Sequence, residues 1–417
     1  MMFPPRIFNA AVLGLSIVQA SGFVPHPLLG QTGATSRASP AGGPVFGESP
    51  PAVTCLEFYS GIGGLRVSLE KAVDFATCVK SFEISSIANS VYERNFAGCR
   101  VTRRSIEHLS VEDVDGKADV WLLSPPCQPF CRIGKKMDEH DNRSLSFLHL
   151  LSLLETVKIP PSHLFLENVQ GFDGSQAHRR LLETLTARGF NVEQFLLSPV
   201  QLGIPNTRLR FYCLASRQQV DGKGNVNAVE EALPSPSSLL QKDGGAAPLR
   251  PLSEYLDPSL TGEAVVPLLL SPKATSHANP SLRFDVVTLQ STQTTTFTKG
   301  YGKHAGRAGP VVLLTDDGKR RVSGESLGRF PSGLELGPEG REVRWFSDKE
   351  MLRLHGFPEE FDFPPRLTFR QRYALVGNSV NVEVVALLLK RMLCREQEGG
   401  QPAERAAGAA LALATEG

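Results

Sequence analysis

Val120-Trp121-Leu122-Leu123-Ser124-Pro125-Pro126-Cys127-Gln128-Pro129-Phe130 decides how the rest of the chain is read. Val120 to Leu123 is an apolar run of strand length, and the proline pair stops it abruptly, since neither can donate to a sheet ladder. Cys127 therefore falls just past the carboxyl end of a strand. In an open α/β sheet that is where ligands and reacting groups collect. The prolines fix the backbone on the approach to the sulfur. The plain alternative is a buried, inert cysteine.

Upstream, Val53-Thr54-Cys55-Leu56-Glu57-Phe58-Tyr59 has strand character, Ser60-Gly61-Ile62-Gly63-Gly64 is a turn, and Leu65 onward takes helical spacing. Strand, glycine turn and helix open a nucleotide-type site, where missing Cβ atoms let a ligand approach the backbone. A Gly-x-Gly-Gly alone also fits an ordinary tight turn. The next strand, Ala76 to Phe82, ends at Glu83, and an acid about 20 residues past the glycines is placed to bind ribose hydroxyls. The spacing is not Gly-x-Gly-x-x-Gly, which disfavours a dinucleotide.

Downstream, Ser144 to Val157 reads as a helix with an apolar face, and Leu164 to Val169 as a strand carrying Glu167 at its end. A surface carboxylate or helix cap is the bland reading of that Glu. Helix Gln176 to Arg188 and strand Asn191 to Leu197 follow, then Gln201 to Tyr212, whose Arg208 and Arg210 alternate on one side of a strand. The fold class is α/β: a doubly wound, mainly parallel sheet with helices on both faces, plus a small recognition lobe.

The chain has 417 residues, 41% hydrophobic and 21% charged, with net charge +1, so any nucleic-acid contact must come from a local patch. Seven scattered cysteines without Cys-x-x-Cys argue against a disulfide framework and a zinc site, and no apolar run reaches the roughly 18 residues of a membrane span. No metal and no membrane partner are expected, and a monomer is. Residues 1–47 contain no acid, Ile7 to Ala20 is mostly apolar, and Ala20-Ser21-Gly22-Phe23 could hold a cleavage site. A signal-like segment followed by a Ser/Thr/Gly/Pro-rich one resembles a bipartite plastid leader; a disordered extension on a cytoplasmic or nuclear protein is the alternative.

Residues 217–280 are rich in Pro, Gly and Ser and read as a linker. Between Asp285 and Asp316 there is no acid, while Lys299, Lys303, His304 and Arg307 are interleaved with Phe297 and Tyr301. Cations with aromatics can grip a phosphate backbone and stack on exposed bases, although a solvated loop shows the same charges. Ser347 caps a helix through Met351 and Leu354, and Val384 to Leu393 is an apolar helix. The divisions are a leader (1–47), a catalytic domain (48–216), a linker and target-recognition lobe (217–370), a helix completing the catalytic domain (371–394) and a disordered tail (395–417).

Pro125-Pro126-Cys127-Gln128-Pro129-Phe130, Tyr59 to Gly64, Glu167-Asn168-Val169 and Gly377-Asn378-Ser379-Val380 occur in the order of, and resemble, the motifs of cytosine-C5 methyltransferases. Phe297-Thr298-Lys299-Gly300-Tyr301-Gly302 resembles a signature of the eukaryotic DNA-methyltransferase-like branch that methylates the anticodon-loop cytosine of aspartate tRNA. The resemblance covers roughly 53–216 and 296–394. It implies S-adenosylmethionine as cofactor, held by Tyr59, Gly61, Ile62, Gly63, Gly64, Glu83, Ile84, Ser105, Ile106, Glu107, Pro126, Asn378 and Ser379. It implies Cys127 as nucleophile, Glu167 as acid, and Arg208 and Arg210 holding the flipped base. Lys299, Tyr301, Lys303 and Arg307 would bind nucleic acid. The partner is tRNA, with cytosine 38 of tRNA(Asp) as the target; DNA methylation, or a catalytically silent nucleic-acid-binding homologue, are the alternatives. Two departures stand out: Cys131 where the branch usually has Thr, and Thr296 where it usually has Cys. Cys131 is also close enough in sequence to Cys127 to be considered as its oxidation partner.

Overall fold

The computed structural model describes residues 52–99, 101–126, 145–217, 224–233, 248–270, 285–303, 309–313 and 343–399, with side chains to 394. Cys127, Cys131, His304, Arg307, the leader and residues 400–417 lie outside these residues, while residues 395–399, read as the start of a disordered tail, are helical. The first lobe is built on β1 (Val53–Phe58), α1 (Gly64–Ala72), β2 (Ala76–Phe82), α2 (Ser86–Asn95), β3 (Val120–Leu123), α3 (Leu145–Thr156), β4 (His163–Val169), α4 (Gln176–Ala187), β5 (Phe190–Leu197), β6 (Arg210–Arg217) and β7 (Val226–Glu230). The strands form one seven-stranded sheet in the order β2-β1-β3-β4-β6-β5-β7. All pairings are parallel except those of β6, which runs antiparallel to both β4 and β5.

Burial on both faces explains why β3 reads as a continuous apolar run rather than an alternating one. Trp121 and Leu123 point into the core with α3 and α4, where Leu150, Leu154, Leu181 and Leu185 pack. Val120 and Leu122 point to the other face, against Leu65 and Leu69 of α1. That second face is closed by a helix some 300 residues later, α7 (Val382–Gly399), through Val384, Val385, Leu388 and Leu389. β1 leads to β2 on one side and β3 leads to β4 on the other, so the sheet has its switch point between β1 and β3.

The second lobe has a three-stranded sheet, β8 (Val286–Val287), β9 (Val311–Leu313) and β10 (Val343–Arg344), followed by α5 (Asp348–Leu354) and α6 (Phe369–Asn378). Phe369–Cys394 is long and apolar enough to cross a membrane by composition. It is nevertheless broken between α6 and α7, and 61% of its most apolar window is buried within the protein. The helix read as Val384 to Leu393 begins two residues earlier, at Val382, with Asn381 Oδ1 accepting the Val384 N–H at 3.2 Å.

Candidate active site

At the end of β1 the backbone turns through Tyr59, a non-glycine residue at φ 58°, then Gly61 at φ 55° and Gly63 at φ 91°. These left-handed values favour glycine, and Gly63 is doubly constrained: a Cβ there would lie 2.3 Å from Phe96 Cε2. A Cβ on Gly64 would lie 2.8 Å from Ser379 Oγ and 2.9 Å from Val380 Cγ2, so the final motif seats directly on the turn. Glu83, at the end of β2, accepts the Gly61 N–H at 3.1 Å through Oε2 and the Ser85 N–H at 2.7 Å through Oε1. Turn and acid thus form one rigid cradle.

The cradle is one wall of a cavity of about 600 Å³, within the usual range for small-ligand sites. Tyr59, Gly61, Ile62, Gly64, Glu83, Ile84, Ser105, Ile106, Glu107, Pro126, Asn378 and Ser379 all line it, and Gly63 packs behind against Phe96. Ser60 also lines it, with a buried Oγ that has no hydrogen-bond partner among the described residues. A glycine cradle, an acid and an orphaned hydroxyl fit a polar nucleoside-type cofactor such as S-adenosylmethionine.

The opposite wall carries Glu167, Arg208 and Arg210. Glu167 is 8% exposed, and Arg210 Nε lies 3.4 Å from its Oε1. Burial pushes the carboxyl above the usual range, and the two arginines pull against it without cancelling the effect. Asn168 Nδ2 donates to the Pro125 carbonyl at 3.4 Å, and Ser124 Oγ donates to the Tyr59 carbonyl at 3.1 Å. The end of β4, the proline pair and the glycine turn are therefore tied together, and Pro126, the last described residue before Cys127, is on the cavity wall.

Two expectations are corrected. Arg208 and Arg210 do not share one side of a strand, because β6 begins at Arg210. Arg208 is buried before it, donating to the carbonyls of Phe297 and Gly377, each at 3.3 Å, and of Ser379. It ties its own segment to Phe297 and to the Gly377–Ser379 turn, and Arg210 forms an ion pair with Glu167. Tyr301 is no surface aromatic for stacking on bases. It is 1% exposed; its hydroxyl donates to the Pro310 carbonyl at 2.7 Å and accepts the Phe346 N–H at 2.8 Å. Its ring packs edge-on against Phe297, Trp345 and Tyr373.

Lys299 is exposed and lines the cavity, Lys303 is exposed nearby without lining it, and Arg307 lies outside the described residues. The structure adds Ser124, Pro125, Ser146, Asn168, Leu375 and Gly377 to the lining. Ser124, Pro125 and Asn168 adjoin motifs already read. Ser146, in the first turn of α3, accepts the Tyr59 hydroxyl at 3.0 Å, a contact that no local pattern announces.

A family model described as C-5 cytosine-specific DNA methylase matches residues 53–394. A Dictyostelium discoideum protein named DNA (cytosine-5)-methyltransferase is 36% identical over 372 residues, covering 82% of this chain and 95% of its own. A Mus musculus protein named tRNA (cytosine(38)-C(5))-methyltransferase is 34% identical over 391 residues, covering 81% and 92%. Among solved structures, the S. pombe Dnmt2 methyltransferase aligns with TM-score 0.67 at 30% identity, over 84% of this chain and 100% of its own.

Proposed function

The chain belongs to the C-5 cytosine-specific DNA methylase family, and from that premise we propose that it methylates C5 of cytosine in tRNA, at position 38 of tRNA(Asp), using S-adenosylmethionine. The observation that carries the chemistry is the shared cavity. Its walls bring the glycine-turn cradle and Glu83 to face the buried Glu167 and its half-buried partner Arg210, with Pro126 leading into Cys127. The substrate reading rests on Phe297 to Gly302 and on relatives named for cytosine 38 of tRNA.

Cytosine C5 is a poor nucleophile and must be activated by addition at C6. Cys127 supplies that addition, since a thiolate is strongly nucleophilic even when partly ionised. Electron density moves toward N3 as the bond forms, and Glu167 donates a proton there; burial raises its pKa, which favours the protonated form this step needs. Arg210 orients the carboxyl, and Arg208 holds the surrounding carbonyls in place. The bound cofactor supplies an electrophilic methyl group. Tyr59, Ser60, Glu83 and Ser105 would hold it. Loss of the C5 proton and β-elimination then release Cys127. A stacked base cannot reach this cavity, so the nucleotide must be flipped out.

DNA is the second reading, favoured by the name of the Dictyostelium relative. Methyl transfer from labelled S-adenosylmethionine to total tRNA, to RNA stripped of tRNA and to duplex DNA separates them, beside a Cys127→Ala control. Label in tRNA that vanishes in the control supports the proposal. Label confined to DNA overturns the substrate, and label that survives Cys127→Ala overturns the covalent step.

A further inference from the structure

Away from the cavity, a polar cluster lies between β1, β2, α1 and α2. Cys55 and Cys78 are register partners on the adjacent parallel strands, and both are free. Cys55 is fully buried, whereas Cys78 is half-buried. Around Cys78 Sγ stand Ser81 Oγ at 3.2 Å and the Tyr92 hydroxyl at 3.7 Å. The same hydroxyl lies 2.8 Å from Glu57 Oε2 and 2.6 Å from Ser81 Oγ.

One phenolic proton cannot serve both Glu57 and Cys78. Glu57 is fully buried, and burial pushes its carboxyl well above the usual range, which favours its protonated form. The phenol O–H faces both Glu57 Oε2 and Cys78 Sγ, and protonation of Glu57 would let the carboxyl O–H serve Tyr92 Oη and free the phenol O–H for the sulfur. Arg66, which donates to Cys99 Sγ at 2.9 Å and lies over the Phe96 ring, adds a positive charge. The neighbouring Cys55 thiol, then Ser81 and Tyr92, lower the Cys78 pKa, while Cys78 and burial raise that of Cys55.

We propose that Cys78 and Cys55 are a peroxide-oxidisable dithiol, with Cys78 as the attacking sulfur and Cys55 as the resolving one. The Cys78 thiolate attacks one oxygen of a hydroperoxide and the O–O bond breaks. For hydrogen peroxide the departing hydroxide takes a proton to become water and leaves Cys78 as a sulfenic acid. The Cys55 sulfur then attacks the Cys78 sulfur. The S–S bond forms, the S–O bond breaks, and the hydroxide leaves as water with the Cys55 proton. Two thiols lose two electrons and the peroxide is reduced to two waters.

A disulfide brings Cβ atoms to about 3.8 Å, closer than the roughly 4.8 Å between neighbouring strands. The ladder already shifts register between Cys55 and Leu56, so this rung is irregular and can close locally. β1 runs on into the glycine turn and β2 into Glu83, so the bridge would draw together the two strands that carry the cofactor cradle.

The test treats the full chain with one to two equivalents of hydrogen peroxide at pH 7, alkylates remaining thiols after denaturation, and maps the peptides by mass spectrometry. The expected product is a Cys55–Cys78 linked peptide, reversed by dithiothreitol, absent in Cys78→Ser, where Cys55 is recovered alkylated. In Cys55→Ala, Cys78 is recovered as its sulfenic or sulfinic acid. Peptide mapping keeps Cys127 oxidation separate. Recovery of both sulfurs alkylated while other thiols are oxidised overturns the proposal, as does a Cys78–Cys99 bridge. Native-state alkylation of Cys78 supplies a second readout. Its rate should level off below the ordinary thiol range of about 8.5 and fall about tenfold at pH 7 in Tyr92→Phe or Ser81→Ala. An ordinary thiol profile, unchanged in both variants, shows that the network does not activate Cys78.

Discussion

Glu167 shows how burial turns a carboxylate into an acid. Its pKa is raised chiefly by desolvation, against the pull of Arg210 and Arg208. Glu167→Gln keeps the shape and removes the proton, and methyl transfer should fall by about 10²–10⁴-fold, as for a lost general acid. The parent rate should decline as pH rises through the folded pKa. The stability sign follows from the same shift: a raised folded pKa gives stability fully present below the unfolded carboxylate range and lost as pH rises through the folded value. The melting temperature of Glu167→Gln relative to the parent should therefore climb as pH rises from the unfolded carboxylate range through the folded pKa; a difference that is flat from that range upward would exclude a raised pKa. Tyr301 and Lys299 divide differently. Tyr301→Phe strips the bridge between the Pro310 carbonyl and the Phe346 N–H, and should cost about 1–3 kcal/mol of stability, read by urea unfolding, with RNA affinity retained. Lys299→Ala should leave stability alone while weakening RNA binding and flattening its salt dependence. Charge and aromatic content alone could not separate these two residues. Glycines carried the missing signal: Cβ atoms on Gly302 and Gly309 would lie 2.7 Å from the Tyr373 and Tyr301 rings, which marks an aromatic cluster packed to its limit.

At the scale of elements, patterning recovered most strands and helices of the first lobe to within a residue or two, because two-sided burial and 3.6-residue spacing are local properties. What it could not see is a side chain with two duties. Ser347 and Glu350 form a capping box at the start of α5, which the sequence announces. Glu350 is also fully buried, taking both arms of Arg344 at 2.8 Å each and the Asp257 N–H at 2.9 Å, so one carboxylate fixes β10, α5 and the segment after Tyr255. Removing one partner of such a pair strands the other charge in the core. Arg344→Met should cost about 3–5 kcal/mol, well above the cost of losing a cap alone, about 1 kcal/mol. Chemical denaturation of Arg344→Met beside Ser347→Ala measures both; equal losses would mean that the ion pair contributes nothing beyond the cap.

Across the whole molecule, the site is assembled from segments far apart in the chain, and here sequence patterning had least to offer. The motifs could be named one by one, but Arg208 linking Phe297, Gly377 and Ser379, and Gly64 meeting Ser379 and Val380, are contacts across 89 to 316 residues. The heaviest of these long-range debts is α7. Val384, Val385, Leu388 and Leu389 are fully buried and Met392 nearly so, on the face shared with α1, β1, β3 and β4. Burial of one such side chain is worth about 1.5–3 kcal/mol, so five together match the entire net stability of a typical domain, about 5–15 kcal/mol. A chain ending at Val380 should therefore lose cooperative unfolding and near-ultraviolet dichroism while keeping much of its far-ultraviolet signal. Its glycine turn, still covalently intact, should no longer bind S-adenosylmethionine in calorimetry. Adding residues 381–394 as a separate peptide should restore part of both signals if the loss is one of packing. A truncated chain that melts cooperatively within a few degrees of the parent would mean that the sheet closes without α7, and that this helix decorates the first lobe rather than completing its core.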